Sequence, residues 1–93
     1  MEFLKDGVLY NTETSTKIGE PIQCSNPEFY ETFYETLYLS KNKQYYLFIT
    51  RGRLLPRPTD VEVSSNDEAF RWATHHLSVD TVKRHFSDKI KEG

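Results

Sequence analysis

The sequence predicts an α+β fold: an antiparallel sheet built on a central β-hairpin at about residues 30–51, followed by two C-terminal helices at about 66–77 and 79–90. Residues 30–40 and 44–51 alternate at period two, which is typical of paired strands. Beyond residue 64 the apolar spacing becomes helical, behind a Ser65–Glu68 capping box. Because the strands precede the helices, we expect the helices to pack on one face of the sheet.

Length and charge limit what the chain can be. Its 93 residues predict a single domain, 1–93. Hydrophobic residues make up only 37% of the chain but aromatic residues reach 14%, so aromatic side chains must supply much of the core. The net charge of −2 argues against a dedicated nucleic-acid-binding domain, since such domains usually carry a basic excess.

The segment before the central hairpin predicts short elements. Residues 7–10 are expected to form a strand. Residues 12–19 are expected to form one helical turn, with Thr12 as N-cap and Gly19 ending the turn in a left-handed conformation. A short strand is expected at 21–24, before a turn at Asn26 and Pro27.

The hairpin itself has a predictable register and two unlike faces. Lys41-Asn42-Lys43 predicts a three-residue loop whose last residue has positive φ, which sets Tyr38 opposite Tyr46. One face is then largely aliphatic: Leu37, Leu39, Tyr45, Leu47 and Ile49. The other, which we call the aromatic face, carries Tyr30, Tyr34, Tyr38, Tyr46 and Phe48. Residues 51–59 predict a loop or edge segment, and 60–63 a further strand.

No catalytic pattern stands out in the sequence. The adjacent His75 and His76 point to different sides of a helix, so no metal site is expected. Cys24 is the only cysteine, cannot form an internal disulfide, and is expected to be a half-buried structural residue. Glu31 and Glu35 share a strand face without an evident substrate cleft. The four glycines are scattered and form no phosphate-binding loop, so we expect neither an enzyme nor a cofactor.

The candidate binding residues lie on the hairpin. The aromatic face is the predicted protein-binding surface, because tyrosine combines apolar area with a hydroxyl donor. A nearly equal alternative is that this face is core, covered by the helices or by the N-terminal segment. A homodimer joined through this face is a further alternative. The alternative is a nucleic-acid-binding patch formed by Lys41, Lys43, Arg51, Arg53 and Arg57, with Tyr45 or Tyr46 stacking on bases. Which hairpin face the helices cover is open at this level. The N-terminus lacks the features of a signal peptide and no apolar run approaches about 18 residues, so a cytoplasmic location is expected.

Several short motifs resemble a group of small bacterial proteins carried on phages and mobile elements. The matching pieces are Tyr10-Asn11-Thr12-Glu13-Thr14, Glu35-Thr36-Leu37-Tyr38, Tyr45-Tyr46-Leu47-Phe48 and the helix segment 68–73. Small phage-borne proteins of this kind include anti-CRISPR proteins, which bind a Cas effector and block its action. The resemblance therefore implies a non-enzymatic inhibitor of a host defence complex, acting by protein contact in the bacterial cytoplasm.

Overall fold

The computed structural model describes residues 1–26, 31–51 and 57–93. These residues form six strands, two α-helices and one 3-10 turn. In chain order they are β1 (Glu2–Lys5), β2 (Val8–Asn11), β3 (Thr16–Asn26), β4 (Glu31–Leu39), β5 (Tyr45–Arg51), β6 (Arg57–Ser64), α1 (Asn66–His76), α2 (Val79–Phe86) and the 3-10 turn Ser87–Lys89.

The α+β prediction is confirmed. Strands β3, β4, β5 and β6 form an antiparallel sheet in that order, while β1 and β2 form a separate two-stranded sheet. The predicted register of the central hairpin is correct, because Tyr38 lies opposite Tyr46 and Leu37 opposite Leu47. Lys43 has the expected positive φ, 66°.

Both C-terminal helices begin where the caps place them. Ser65 and Glu68 form the complete capping box of α1, and the Ser78 hydroxyl caps α2. The second helix is shorter than the predicted 79–90, since it ends at Phe86 and a 3-10 turn follows. Ser and Asp, which occupy the next two positions, are weak helix formers, so the helix ends there at little cost.

The helical turn predicted at 12–19 is wrong. The Ser15 hydroxyl and the Thr14 amide both donate to the Asn11 carbonyl in a tight turn, and β3 already begins at Thr16. Strand pairing wins because it sets Ile18 opposite Leu37, where Ile18 is almost fully buried; an isolated helical turn gains no such burial. Gly19 does have positive φ, 77°, but within an irregularity of the β3–β4 pairing between Ile18 and Ile22.

The N-terminal hairpin forms a third layer. Asp6 and Gly7 both have positive φ and join β1 to β2, as a two-residue hairpin turn requires. The inner side chains Phe3 and Tyr10 pack with Tyr46, Phe48 and other members of a core cluster between this hairpin and the main sheet. On the opposite face of the sheet, a second cluster joins Ile18, Leu37 and Leu47 to Ala69, Ala73, Val82 and Phe86 of the helices. The helices therefore cover the aliphatic face, and the N-terminal hairpin covers much of the aromatic face.

Candidate interaction surface

The aromatic face is largely internal, which corrects the expectation that it forms an open surface. Tyr46 is 0% exposed and Phe48 is 2% exposed. The ring of Tyr46 lies between those of Tyr10 and Tyr38, with centroid separations of 5.0 and 5.5 Å, and its hydroxyl donates to the Ser15 hydroxyl at 2.7 Å. Tyr46 and Phe48 are therefore core residues in this fold. The alternative that the N-terminal segment covers this face is correct for these two residues. The sequence analysis did not predict β1, which supplies the inward-facing Phe3.

The remaining residues of the aromatic face have different positions. Tyr34 and Tyr38 are partly exposed on β4, opposite Gln23 and Lys17 of β3 respectively. Burial raises the pKa of the Tyr38 phenol above its ordinary value, in keeping with its stacking on the core. Tyr30 lies outside the described residues. The accessible part of this face, among the residues described, thus comprises Tyr34 and one side of Tyr38.

The predicted basic patch does not form one continuous surface. Lys41 and Lys43 are exposed in the β4–β5 loop, whereas Arg51 is exposed at the far end of β5. A strand rises about 3.3 Å per residue, which separates Lys43 from Arg51 by roughly 25 Å. Arg57 is opposite Arg51 in β6, with its side chain outside the described part, as is all of Arg53. The two lysines therefore cannot share a compact phosphate site with Arg51.

The cysteine environment is unsuited to a nucleophile. The Cys24 thiol donates to a Glu35 carboxylate oxygen 3.1 Å away. Burial, together with that hydrogen bond and the carboxylate charge, raises the pKa of Cys24 to about 11. Because the thiolate is the reactive form, this thiol is held protonated and inert at neutral pH. The Cys24 side chain is half-buried, as the sequence predicts.

The histidines and carboxylates do not converge. The rings of His75 and His76 are 6.5 Å apart, and His76 instead lies against the Trp72 ring at 5.0 Å. Burial and the nearby Arg84 charge lower the pKa of His85. Across residues 1–26, 31–51 and 57–93, no group of three His, Cys, Asp or Glu side chains is arranged to hold a metal ion. Within the same part of the chain, no helix is long and apolar enough to cross a membrane.

A groove on the helical side is lined mainly by apolar surface. We call it the helical groove; its volume is about 380 Å³ and its lining comprises Phe70, Thr74, Leu77, Val79, Val82, Lys83, Lys89, Ile90 and Lys91. The lining residues come from α1 and its C-cap, from α2, and from the chain after α2. Val79 is 70% exposed and Ile90 is 39% exposed. Large exposed aliphatic side chains clustered in a groove are typical of an interaction site.

The charged groups of the helical groove all have the same sign. Its ionisable lining residues are the three lysines Lys83, Lys89 and Lys91. The Lys89 ammonium forms an ion pair with Asp67 at 3.0 Å, which ties the segment after α2 back to the first turn of α1. In the described part of the chain, Lys83 and Lys91 have no ion-pair partner. The groove therefore has an apolar floor and a positively charged rim.

Two other exposed features are less well suited to binding. A larger groove of about 450 Å³ beside β3 is lined mainly by polar and ionisable residues, and Lys17 and Glu20 pair with each other there at 3.2 Å. Leu4 and Leu9 are cross-strand neighbours on the N-terminal hairpin, 69% and 55% exposed. Leu9 lines a groove of about 370 Å³ whose other lining residues are mostly polar, among them Lys41. We therefore take the helical groove as the candidate interaction surface.

Sequence analysis did not indicate this groove. The helix predicted at 79–90 would place Val79, Val82, Phe86 and Ile90 on one apolar stripe. Because α2 ends at Phe86, Ile90 lies outside that stripe, and Val79 at the start of the helix is exposed. No family model, curated protein or solved structure matches this chain.

Proposed function

We propose that this protein is a non-enzymatic binding protein that uses the helical groove to contact another protein. The observation that carries the proposal is the exposure of Val79 and Ile90 at the edge of an apolar groove rimmed by lysines. Covering these side chains removes apolar area from water, the dominant favourable term in protein association. The inert Cys24 thiol is consistent with binding rather than chemistry.

The partner class that we propose is a host defence complex, with the protein acting as a phage or mobile-element inhibitor of the anti-CRISPR kind in the bacterial cytoplasm. The motif resemblance of residues 10–14, 35–38 and 45–48 supports this setting. A groove formed between two packed helices also suits an inhibitor, because a surface already formed before binding loses little entropy.

A pull-down of the tagged protein against the Cas effectors of a bacterial host, combined with a phage-interference assay, tests this function. We expect an effector to co-purify and interference to fall when the protein is expressed. The control is the double variant Lys41→Glu, Lys43→Glu, which reverses the charge of the exposed β4–β5 loop and should act like the natural protein. Absence of both binding and inhibition would remove the proposal.

Two alternatives have less support. A nucleic-acid-binding protein would need Lys41, Lys43 and Arg51 to act across the length of β5, and binding that weakens steeply with salt would support it. A homodimer through the aromatic face would have to use Tyr34 and Tyr38, since Tyr46 is buried. Light scattering distinguishes a dimer from a monomer.

A further inference from the structure

We infer that the helical groove binds an amphipathic helix of the partner protein, one that presents apolar side chains on one face and Asp or Glu beside them. This inference rests on the proposed function, because it specifies which chemistry the partner must bring to the same groove. Two features of the groove carry it: the spacing of the apolar residues along its walls and the charge of its lysines.

The walls of the groove follow helical spacing. Phe70 and Thr74 lie four residues apart on α1, Leu77 follows three residues later as its C-cap, and Val79 and Val82 line the groove from α2. Side chains at such intervals form ridges, and the groove between two ridges accepts the ridge of a third helix. A partner with apolar residues at i, i+3 or i+4, and i+7 presents the matching ridge.

A helical partner brings a backbone that is already hydrogen-bonded within its own helix. It therefore needs only side-chain contacts with the groove.

The rim selects a partner with acidic flanks. Lys83 and Lys91 are exposed and have no ion pair among the described residues, so each is available to a carboxylate. A partner helix with Lys instead of Asp or Glu beside its apolar face would bring like charges together, and this repulsion would weaken its binding. Phosphates of a nucleic acid would match the sign of the rim but would leave the apolar floor uncovered.

An anionic membrane is the weaker occupant. Membrane attraction needs a cluster of about four to eight basic residues, and the groove has three lysines, one of them paired with Asp67. The chain as a whole also carries a net charge of −2, which opposes approach to an anionic surface. A partner protein with one acidic helix can bind the groove without an excess of basic residues on the whole chain.

The experiment uses two fluorescent helical peptides that differ only in charge. Both carry Leu at i, i+4 and i+7; one has Glu at the flanking positions and the other has Lys. Fluorescence anisotropy should show the Glu peptide binding at least tenfold more tightly than the Lys peptide, a difference of about 1.4 kcal/mol. Its affinity should fall as salt is added, since the charges on the rim are exposed.

A charge-reversed protein provides the matched control. The double variant Lys83→Glu, Lys91→Glu alters exposed positions and should fold normally, as circular dichroism would verify. We expect this variant to prefer the Lys peptide. Equal affinity for both peptides, binding of neither, or binding only to phosphatidylserine vesicles would overturn the inference.

The outcomes separate this inference from the proposed function. If the protein inhibits interference but binds neither peptide, the acidic-helix inference fails and the proposed function stands. If it binds the Glu peptide selectively but neither co-purifies with an effector nor inhibits interference, the proposed defence target fails and the groove chemistry stands.

Discussion

Gly19 of β3 lies against Leu77 at the end of α1, and one substitution tests this contact. It has a φ of 77°, and a Cβ added there would lie 2.7 Å from Leu77 Cδ2 and 3.0 Å from Cδ1. Carbon atoms in contact normally sit about 3.5–4.0 Å apart, so Leu77 would have to move by about 1 Å. Because Leu77 also lines the helical groove, the displacement would reach the candidate surface.

The magnitude of the effect has two parts. A left-handed conformation costs an alanine about 1 kcal/mol relative to glycine. Displacing Leu77 adds about 1 kcal/mol, at the low end for overpacking, because the clashing atoms are at the end of a side chain. We therefore expect Gly19→Ala to lower the free energy of unfolding by about 2 kcal/mol.

Gly7→Ala is the matched control. Gly7 has the same φ of 77°, but an added Cβ would meet nothing within 4 Å. Gly7→Ala should therefore lower the free energy of unfolding only by the cost of the left-handed conformation, about 1 kcal/mol. Urea unfolding followed by the fluorescence of Trp72, which packs against the helical core, measures both variants. Since a small domain has a urea m value near 1 kcal/mol/M, the two midpoints should differ by about 1 M.

The double variant Gly19→Ala, Leu77→Ala completes the test. Once the Leu77 side chain is removed, the additional cost of Gly19→Ala should fall to that of Gly7→Ala. Equal losses for Gly7→Ala and Gly19→Ala in the natural background would refute the contact between β3 and the end of α1.

Three further predictions concern single groups. Ser15→Ala should lower the free energy of unfolding by about 1–3 kcal/mol, because it leaves the buried Tyr46 hydroxyl without its acceptor. Tyr46→Phe should lower it by less, about 1 kcal/mol. Urea unfolding of both variants measures the two losses, and a larger loss for Tyr46→Phe would contradict the prediction. Cys24, with its pKa raised from 9.0 to about 11, should react with iodoacetamide at pH 9 roughly fifty-fold more slowly than in the urea-unfolded chain. The free energy of unfolding should fall as the pH rises from 9 to about 11, because the thiol of the unfolded chain loses its proton first. Glu35→Gln should speed the alkylation of Cys24. An unchanged rate would contradict the contribution of Glu35 to the raised pKa. Ser65→Ala should lower the free energy of unfolding by about 1 kcal/mol through loss of the α1 cap, and an unchanged urea midpoint would count against the capping box.

The central hairpin and α1 were predictable because their signals are local. Alternation around a short loop fixes the register of β4 and β5, so Tyr38 was correctly set opposite Tyr46. The capping box directly indicates where α1 begins. Gly19 is different, because a positive φ serves both a helix C-terminus and a strand irregularity. The choice between them depends on whether Ile18 finds a buried position, which is a tertiary property.

The candidate surface was not predictable in the same way. Asp6-Gly7 is a strong hairpin signal, and together with Phe3 it could have indicated the strand that covers the aromatic face. No comparable local signal marks the helical groove. The groove forms because α2 ends at Phe86 and because Val79 at its first position stays exposed, and apolar spacing alone predicts neither.

The most direct test of the central claim compares two equally exposed aliphatic residues on opposite layers. Val79 is 70% exposed in the helical groove, and Leu4 is 69% exposed on the N-terminal hairpin. An Asp at residue 79 lies at the first position of α2, where a negative charge suits the helix dipole, so the variant should fold. In the phage-interference assay, Val79→Asp should abolish inhibition while Leu4→Asp preserves it. Full inhibition by Val79→Asp, or loss of inhibition by Leu4→Asp alone, would contradict binding through the helical groove.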